Sequence, residues 1–273
     1  MSKFSVLMSV YYKESPKNLE QSIISILNQT LIPNQIVIVK DGLLTQELDK
    51  VINQYEQKYK IIKIVHLKNN LGLGLALNEG IKQCAYDYIA RMDSDDISVS
   101  NRFEKQIGYI SQHPEIDVIG SNIDEYDEAM QQVISTRKVP SNQADIYRYI
   151  KSRNPFNHMS VIFKKKSVID CGRYEDVPLF EDYYLWCKLA MVNGNFHNLP
   201  ESLVKARASI SMTKRRGGLN YIKKIYRFEL KIYRLKMING LQLVSNLINR
   251  IIFAIIPNNL RFNMYKMVLR GEK

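Results

Sequence analysis

The chain of 273 residues is 45% apolar and 24% charged, with 39 Lys and Arg against 27 Asp and Glu, a formal net charge of +12. That composition can bury a core of one or two domains and excludes intrinsic disorder, a collagen-like fibre and a long coiled coil. The charge is segregated: residues 202–273 hold 16 basic residues against Glu229 and Glu272, net +14, while residues 1–201 are net −2. A uniformly basic nucleic-acid binder does not show that split. An acidic body with a basic tail does, and the tail's partner must be anionic, either nucleic acid or a membrane surface.

Residues 4–11 (FSVLMSVY) form a short apolar run, the pattern of a buried strand. Leu19, Ile23, Ile26 and Leu27 share one face of a helix over 19–29, with Pro33 closing the unit. Further strands are predicted at 35–39, 61–66 and 87–92, and helices at 47–59 and 77–83. Strand and helix alternate, the signature of a doubly wound α/β sheet with mainly parallel strands. Ligands of such sheets sit beyond the carboxyl ends of the strands. Tyr11, Asp41, Asn70 and Asp93 all fall at or just after predicted strand ends.

From residue 102 the pattern becomes α+β, with helices predicted at 102–111, 145–152 and 181–193 and strands at 117–123 and 160–163. In the tail, Tyr221, Ile225, Phe228, Ile232 and Leu235 recur at helical spacing, and Lys223, Arg227, Lys231 and Arg234 occupy another face, so a basic amphipathic helix is expected. A second, more apolar helix over 241–256 stops at Pro257. Its longest apolar run, 247–256, is interrupted by Asn249 and Arg250 and falls short of the ~18 apolar residues of a spanning helix. The first residues lack a secretory leader pattern. Cys84, Cys171 and Cys187 have neither metal-ligand spacing nor a disulfide framework, as expected of free thiols in a reducing compartment.

Four clusters carry chemistry. Arg91-Met92-Asp93-Ser94-Asp95-Asp96 places three carboxylates within four residues after a strand. It reads either as a hard-cation site for Mg²⁺ or Mn²⁺ or as a solvated acidic turn. Phe180-Glu181-Asp182-Tyr183-Tyr184-Leu185-Trp186 reads either as a carboxylate at the edge of an apolar pocket whose aromatics could stack a sugar face, partly desolvated and so a better base, or as ordinary acidic residues at a helix start. The 69–80 stretch, NNLGLGLALNEG, matches neither a dinucleotide fingerprint nor a Walker loop. Lys214-Arg215-Arg216-Gly217-Gly218 can wrap a diphosphate or lie as a basic turn. Of the four histidines, His158 in Asn154-Pro155-Phe156-Asn157-His158 precedes a strand and is the candidate for substrate contact, while His66, His113 and His197 are scattered.

Together and in this order, the clusters resemble the family 2 glycosyltransferases of GT-A fold, over about residues 3–218. FSVLMSVYYKE is similar to the family's first nucleotide-binding strand, IVIVKDG to its second, NLGLGLALNEGI to its loop-helix, ARMDSDD to its Asp-x-Asp motif and FEDYYLW to its catalytic Glu-Asp motif. The Asn-Pro-Phe-Asn-His and Arg-Arg-Gly-Gly elements resemble bacterial enzymes that build O-antigen, capsule or exopolysaccharide units. The resemblance implies a Rossmann-like, mainly parallel sheet with C-terminal amphipathic helices. It implies a catalytic domain over 1–218, with a nucleotide-binding half (1–100) and an acceptor-binding half (101–218), and a membrane-associating tail over 219–273. It further implies that Ser9, Tyr11, Asp41, Asn70 and Asp93 hold the nucleotide, that Arg207, Arg215 and Arg216 meet its diphosphate, and that Asp95, with Asp96 competing, holds Mn²⁺ or Mg²⁺. Asp182 becomes the general base, with Glu181, His158 and Trp186 around the acceptor. Two departures stand out: Leu75 replaces a common basic residue, and Lys205-Ala206-Arg207-Ala208-Ser209 lacks the histidine that many members carry.

The implied activity is inverting transfer of a hexose, from UDP-glucose first and UDP-galactose next, to an N-acetylhexosamine on undecaprenyl diphosphate, in a β1,3 linkage. The implied place is the inner face of the cytoplasmic membrane, on an anionic surface and without nucleic acid. The alternatives are a sugar-nucleotide nucleotidyltransferase, against which Tyr11-Tyr12-Lys13-Glu14 stands where a Gly-rich basic loop belongs, and a nucleic-acid-binding protein using the basic tail.

Overall fold

The structure is a computed structural model that describes residues 2–208 and 217–256. The first half alternates β1 (Phe4–Val10), α1 (Pro16–Leu27), β2 (Gln35–Lys40), α2 (Gln46–Lys58), β3 (Ile62–His66), α3 (Leu73–Gln83) and β4 (Tyr88–Arg91). A two-residue β5 (Ile97–Ser98), α4 (Arg102–Gln112), β6 (Val118–Tyr126), β7 (Val133–Arg137) and α5 (Gln143–Tyr149) follow. After a single 3-10 turn at His158–Ser160 come β8 (Ile162–Lys164), α6 (Lys165–Asp170), α7 (Glu181–Met191), β9 (Phe196–Arg207), α8 (Leu219–Arg234) and α9 (Gly240–Ile255).

One sheet holds the nine strands of the described residues, in the order β3-β2-β1-β4-β8-β6-β9-β5, with β7 on β6. The pairs β1–β2, β1–β4 and β2–β3 are parallel, so β1, β2 and β4 end on the same edge. Beyond β4 the sheet turns mixed: β8 is antiparallel to β4 and β6, while β9 runs parallel to β6. The nucleotide-binding and acceptor-binding halves read from the sequence therefore share one sheet.

Side-chain alternation divides the core between the two faces. Phe4, Val6, Met8 and Val10 of β1 pack with α1, α2 and α4, whereas Leu7 joins α3, α5 and α7 on the other face. Helix α3 lies close to the sheet because Gly80 has no Cβ; one there would stand 2.3 Å from Leu7 Cδ1.

The predicted α/β alternation is present, with differences that have local causes. Helix α1 starts at Pro16, whose fixed φ suits the first helical position behind the Ser15 cap. Helix α3 starts at Leu73, directly after Gly72 in the left-handed region at φ +83. Helix α5 spans Gln143–Tyr149 rather than 145–152, because the Asn142 side chain caps it by accepting from Asp145 N. Strand β9 was not legible because Pro200 interrupts it; the proline sits where the register against β6 shifts.

The two tail helices are built into the body. Ile225, Phe228 and Ile232 of α8 are fully buried in the same core cluster as α7, and Lys231 bridges to Glu175 at 2.8 Å. Helix α9 is held by a capping box at Asn239 and Gln242 and by a buried clamp. Glu229 of α8 is fully buried, pairs with Arg250 Nε at 2.7 Å and accepts from Asn246 Nδ2 at 3.1 Å.

Candidate active site

The first part of the site lies on the edge where β1, β2 and β4 end. Ser9 is partly buried on β1, and Tyr11, just beyond it, is exposed with its ring edge-on to Tyr12. Asp41 follows β2 and is buried; its carboxylate accepts from the backbone N–H of Leu71 at 2.7 Å and of Gly72 at 3.1 Å. Asn70 donates to the Asp41 carbonyl at 3.1 Å. Gly42 makes this closeness possible, because at φ +85 a Cβ there would lie 2.8 Å from Asn70 N. Asp41 thus fixes the loop that carries Asn70, at the same edge as Ser9 and Tyr11.

The acidic turn follows β4. Ligand oxygens of Asp93, Asp95 and Asp96 lie within 4.8 Å of one another. Burial, then the Asp93 and Glu14 charges, push the Asp95 carboxyl up to about 7. Burial, then Asp95 and Asp93, hold Asp96 well above the carboxylate range. Three crowded carboxylates, two of them raised by burial and by their neighbours' charge, fit a divalent cation, whose charge would reverse the penalty. Asp96 is the less available ligand, since it is buried and one of its oxygens accepts from Arg207 N at 2.8 Å. Asp95 is the more open of the two.

Arg207 is expected at the nucleotide diphosphate, and the structure gives it other work. Its Nε donates to Asp95 O at 3.0 Å, its Nη1 to Glu128 O at 2.5 Å and its Nη2 to Gln21 Oε1 at 2.9 Å. With every guanidinium nitrogen engaged by the protein, Arg207 clamps the acidic turn from behind. Arg215 and Arg216, expected beside it, lie outside the described residues.

Arg91 opens the acidic cluster in the sequence, and its pattern there gives it no role of its own. It is fully buried at the end of β4, forms an ion pair with Asp93, and its Nε has no hydrogen-bond partner. Its charge lowers the carboxyl of Asp182 and the imidazole of His158. Arg91 therefore joins the acidic turn electrostatically to the second part of the site.

That second part is a cavity of about 500 Å³ whose wall includes Asp182 and His158. Asp182 opens α7, and one carboxylate oxygen accepts from Asn154 Nδ2 at 2.7 Å. Burial raises its carboxyl above the usual range, opposed by the Asn154 and Tyr183 N–H donors and by Arg137 and Arg91. His158 is buried, its Nε2 2.8 Å from Tyr174 Oη; burial and then Arg91 push it well below its ordinary value, so it stands neutral. It lies in the 3-10 turn rather than directly before a strand. Glu181 packs beside Gly74 of α3 with a buried, unpartnered Oε2, and burial lifts its carboxyl to about 7.

Trp186 corrects an expectation. It is fully buried, edge-on to Phe156 at 5.3 Å and to His158 at 6.2 Å, and offers no face to a sugar. The aromatic lining comes instead from Phe180, Tyr183, Tyr221 and Phe253. Asn246, Asn249, Arg250 and Phe253 of α9 line this cavity, so the second tail helix forms one of its walls. The signal for that was present in the sequence, as Asn249 and Arg250 are polar interruptions of an otherwise apolar helix.

The family profile described as glycosyl transferase family 2 matches residues 5–172, well over half of the chain. The chain belongs to glycosyl transferase family 2. It is 38% identical over 269 residues to the Escherichia coli UDP-Gal:alpha-D-GlcNAc-diphosphoundecaprenol beta-1,3-galactosyltransferase, covering 98% of this chain and 97% of that one. It is 42% identical over 234 residues to the amylovoran biosynthesis glycosyltransferase AmsE of Erwinia amylovora, covering 86% and 85%. Among solved structures it is similar to Staphylococcus aureus TarS 1–349 in complex with UDP-GlcNAc, at TM-score 0.70 and 18% identity, covering 98% of this chain and 76% of that one. The fold is therefore GT-A and the chain is a glycosyltransferase. No helix among the described residues is long and apolar enough to cross a membrane.

Proposed function

We propose that this glycosyltransferase moves a hexose from a UDP-sugar to an N-acetylhexosamine on a polyprenyl diphosphate, with inversion, in bacterial surface-polysaccharide synthesis. The observation that carries the reading is the pairing of the Asp93–Asp96 turn with a cavity walled by Asp182, with the buried Arg91 charge felt on both sides. The Escherichia coli relative, whose name states a UDP-Gal donor and a GlcNAc-diphosphoundecaprenol acceptor, supports the substrate class. Its galactose places that sugar beside glucose as a donor to test.

Ser9, Tyr11 and the Asp41–Asn70 corner hold the nucleotide at the strand edge, and Asp93 meets the ribose. Asp95 is placed to hold a Mn²⁺ or Mg²⁺ ion, whose charge would neutralise the departing diphosphate. Asp182 accepts the proton of the acceptor hydroxyl. As the hydroxyl oxygen bonds to the anomeric carbon, the bond from that carbon to the UDP phosphate oxygen breaks, and UDP leaves with the electron pair. One base and no enzyme nucleophile give inversion, so an α-linked donor yields a β-glycoside, by the logic of inverting glycosidases. The exposed face of α9 (Leu241, Val244, Ile248, Ile252 and Ile255) lies opposite the cavity-lining face and supports seating of the enzyme on the membrane that holds its acceptor.

The test is UDP release by the purified chain with UDP-galactose, UDP-glucose and UDP-GlcNAc against GlcNAc diphosphate on a lipid, with Mn²⁺ and with EDTA. Release that needs both acceptor and metal, with one UDP-hexose preferred, is expected. Release independent of acceptor, or undiminished in EDTA, would overturn the acceptor or the metal assignment respectively.

A further inference from the structure

The Asp182 cavity is positively charged. Among its lining residues Arg137, Arg153 and Arg250 face a single carboxylate, Asp182. Arg137 donates to Asn154 O at 3.3 Å and acts electrostatically on Asp182, so its charge serves the base. The other two guanidinia do not touch it. Arg250 is stacked over Phe180, Tyr183 and Phe228, its guanidinium carbon 5.5–5.7 Å from the three ring centres. Its Nε pairs with Glu229 and its Nη2 donates to Ser152 O at 2.8 Å, which leaves Nη1 without a hydrogen-bond partner among the described residues. Arg153, the next residue along, is partly buried; its backbone N–H donates to Tyr149 O at 2.9 Å, and its guanidinium rests on the Tyr149 ring at 5.4 Å with no hydrogen bond or ion pair to the described residues. The short segment 152–154 thus touches one guanidinium, carries the second and, through Asn154, holds the base.

We propose that Arg153 and Arg250 form the subsite for the diphosphate of the acceptor, with the acceptor hydroxyl at Asp182. A planar guanidinium held rigid by rings and by a buried carboxylate presents its remaining N–H donors at little entropic cost, which suits bidentate contact with phosphate oxygens. The apolar and aromatic lining, with Met159, Leu179 and Phe253, suits the sugar face and the first carbons of a lipid. The subsite rests on the acceptor class proposed above.

The test compares two acceptors of equal chain length, an alkyl diphosphate of GlcNAc and an alkyl glycoside of GlcNAc without phosphate, alongside calorimetric binding of octyl diphosphate and of UDP. The wild type is expected to show a much lower KM for the diphosphate acceptor. Arg153→Gln is expected to shrink that preference by about tenfold or more, the loss of one hydrogen bond to a charged group, and to weaken octyl diphosphate binding while the Kd for UDP stays the same. Arg250→Lys retains a partner for Glu229 but loses the fork, and is expected to act in the same direction with the thermal midpoint preserved. Equal KM for the two acceptors in the wild type, or an undiminished preference in both variants, overturns the proposal. Weakened UDP binding in the variants overturns it in favour of a donor site. If no acceptor releases UDP, the donor and acceptor class proposed above fails instead, and octyl diphosphate binding then decides the subsite alone.

Discussion

Asp182 is kept available as a base by groups that oppose its own burial. Desolvation raises its carboxyl, while Asn154 Nδ2, the Tyr183 N–H, Arg137 and Arg91 stabilise the charged form. Activity should therefore fall on the acid side as Asp182 takes up a proton. Removing the Asn154 donor should move that limb to higher pH, because a hydrogen bond that stabilises the charged form is lost. The kcat/KM profile of Asn154→Ala against wild type checks this, and an unmoved limb would detach Asn154 from the base. Asp182→Asn should lower kcat by about 10²–10⁴ while leaving the fold intact, which single-turnover transfer with a matched melting curve would show. Glu181 has the opposite economy. Its ordinary value of 4.5 is lifted to about 7 by burial, so the folded chain binds that proton more tightly than the unfolded one. Stability should then decline as pH rises from about 4.5 to about 7, and Glu181→Gln should stabilise the protein by about 1–3 kcal/mol at pH 8. Urea melts of both proteins at pH 5 and pH 8 would expose the difference, and equal shifts at the two values would contradict it. The Glu-Asp pair was legible because acidic residues opening an aromatic helix are conspicuous. Asn154 as partner was not, since it stands 28 residues away and no spacing rule joins a loop to that helix. Trp186 misled because a tryptophan beside a carboxylate suits a pocket edge and a core equally well in sequence.

The alternation of the first four strands with three helices was legible as elements because each carries a clean period. Strand β9 and helix α9 were harder for opposite reasons. The first hides a bulge at Pro200, and the second, legible as a helix over 241–256, does not show in its apolar pattern which residues are buried. What fixes α9 to α8 is polar: Glu229, fully buried, meets both Arg250 and Asn246. A buried ion pair adds little net stability compared with apolar residues, but breaking one strands the remaining charge. Glu229→Ala should destabilise the protein by about 3–5 kcal/mol and disturb the acceptor cavity, because Arg250 and Asn249 line it. Calorimetry and the acceptor KM should report both effects together. A stable Glu229→Ala protein with wild-type acceptor KM would mean that α9 is held by its apolar contacts alone. The same packing means that cutting the chain after residue 218 removes a wall of the cavity as well as the basic tail, so point substitutions are the cleaner probes of the tail.

At the scale of the whole molecule, the two adjoining tail helices each present an exposed face, apolar on α9 and basic on α8. Leu241 is 83% exposed and Ile255 68%, with Val244, Ile248 and Ile252 between them on one helical face. Lys223, Arg227, Arg234 and Lys236, on or just after the adjoining α8, are exposed too. Five large apolar side chains in one stripe form a patch that water disfavours, and basic residues that reach an anionic leaflet are each worth about 1 kcal/mol near the surface. The opposite face of α9 lines the acceptor cavity, so a chain seated on this stripe brings Asp182 to the surface where a lipid-linked sugar is held. The full chain is expected to float with vesicles containing phosphatidylglycerol, to bind neutral vesicles more weakly, and to be released as salt screens the basic residues. Ile248→Asp with Ile252→Asp should abolish flotation and raise KM for a membrane-held acceptor far more than for a short-chain soluble one. These substitutions point away from the cavity, so a loss with both acceptors would indicate damage to the fold. A wild-type protein that elutes as a dimer, is made monomeric by the double substitution and ignores vesicles throughout would assign the stripe to a second copy of the chain.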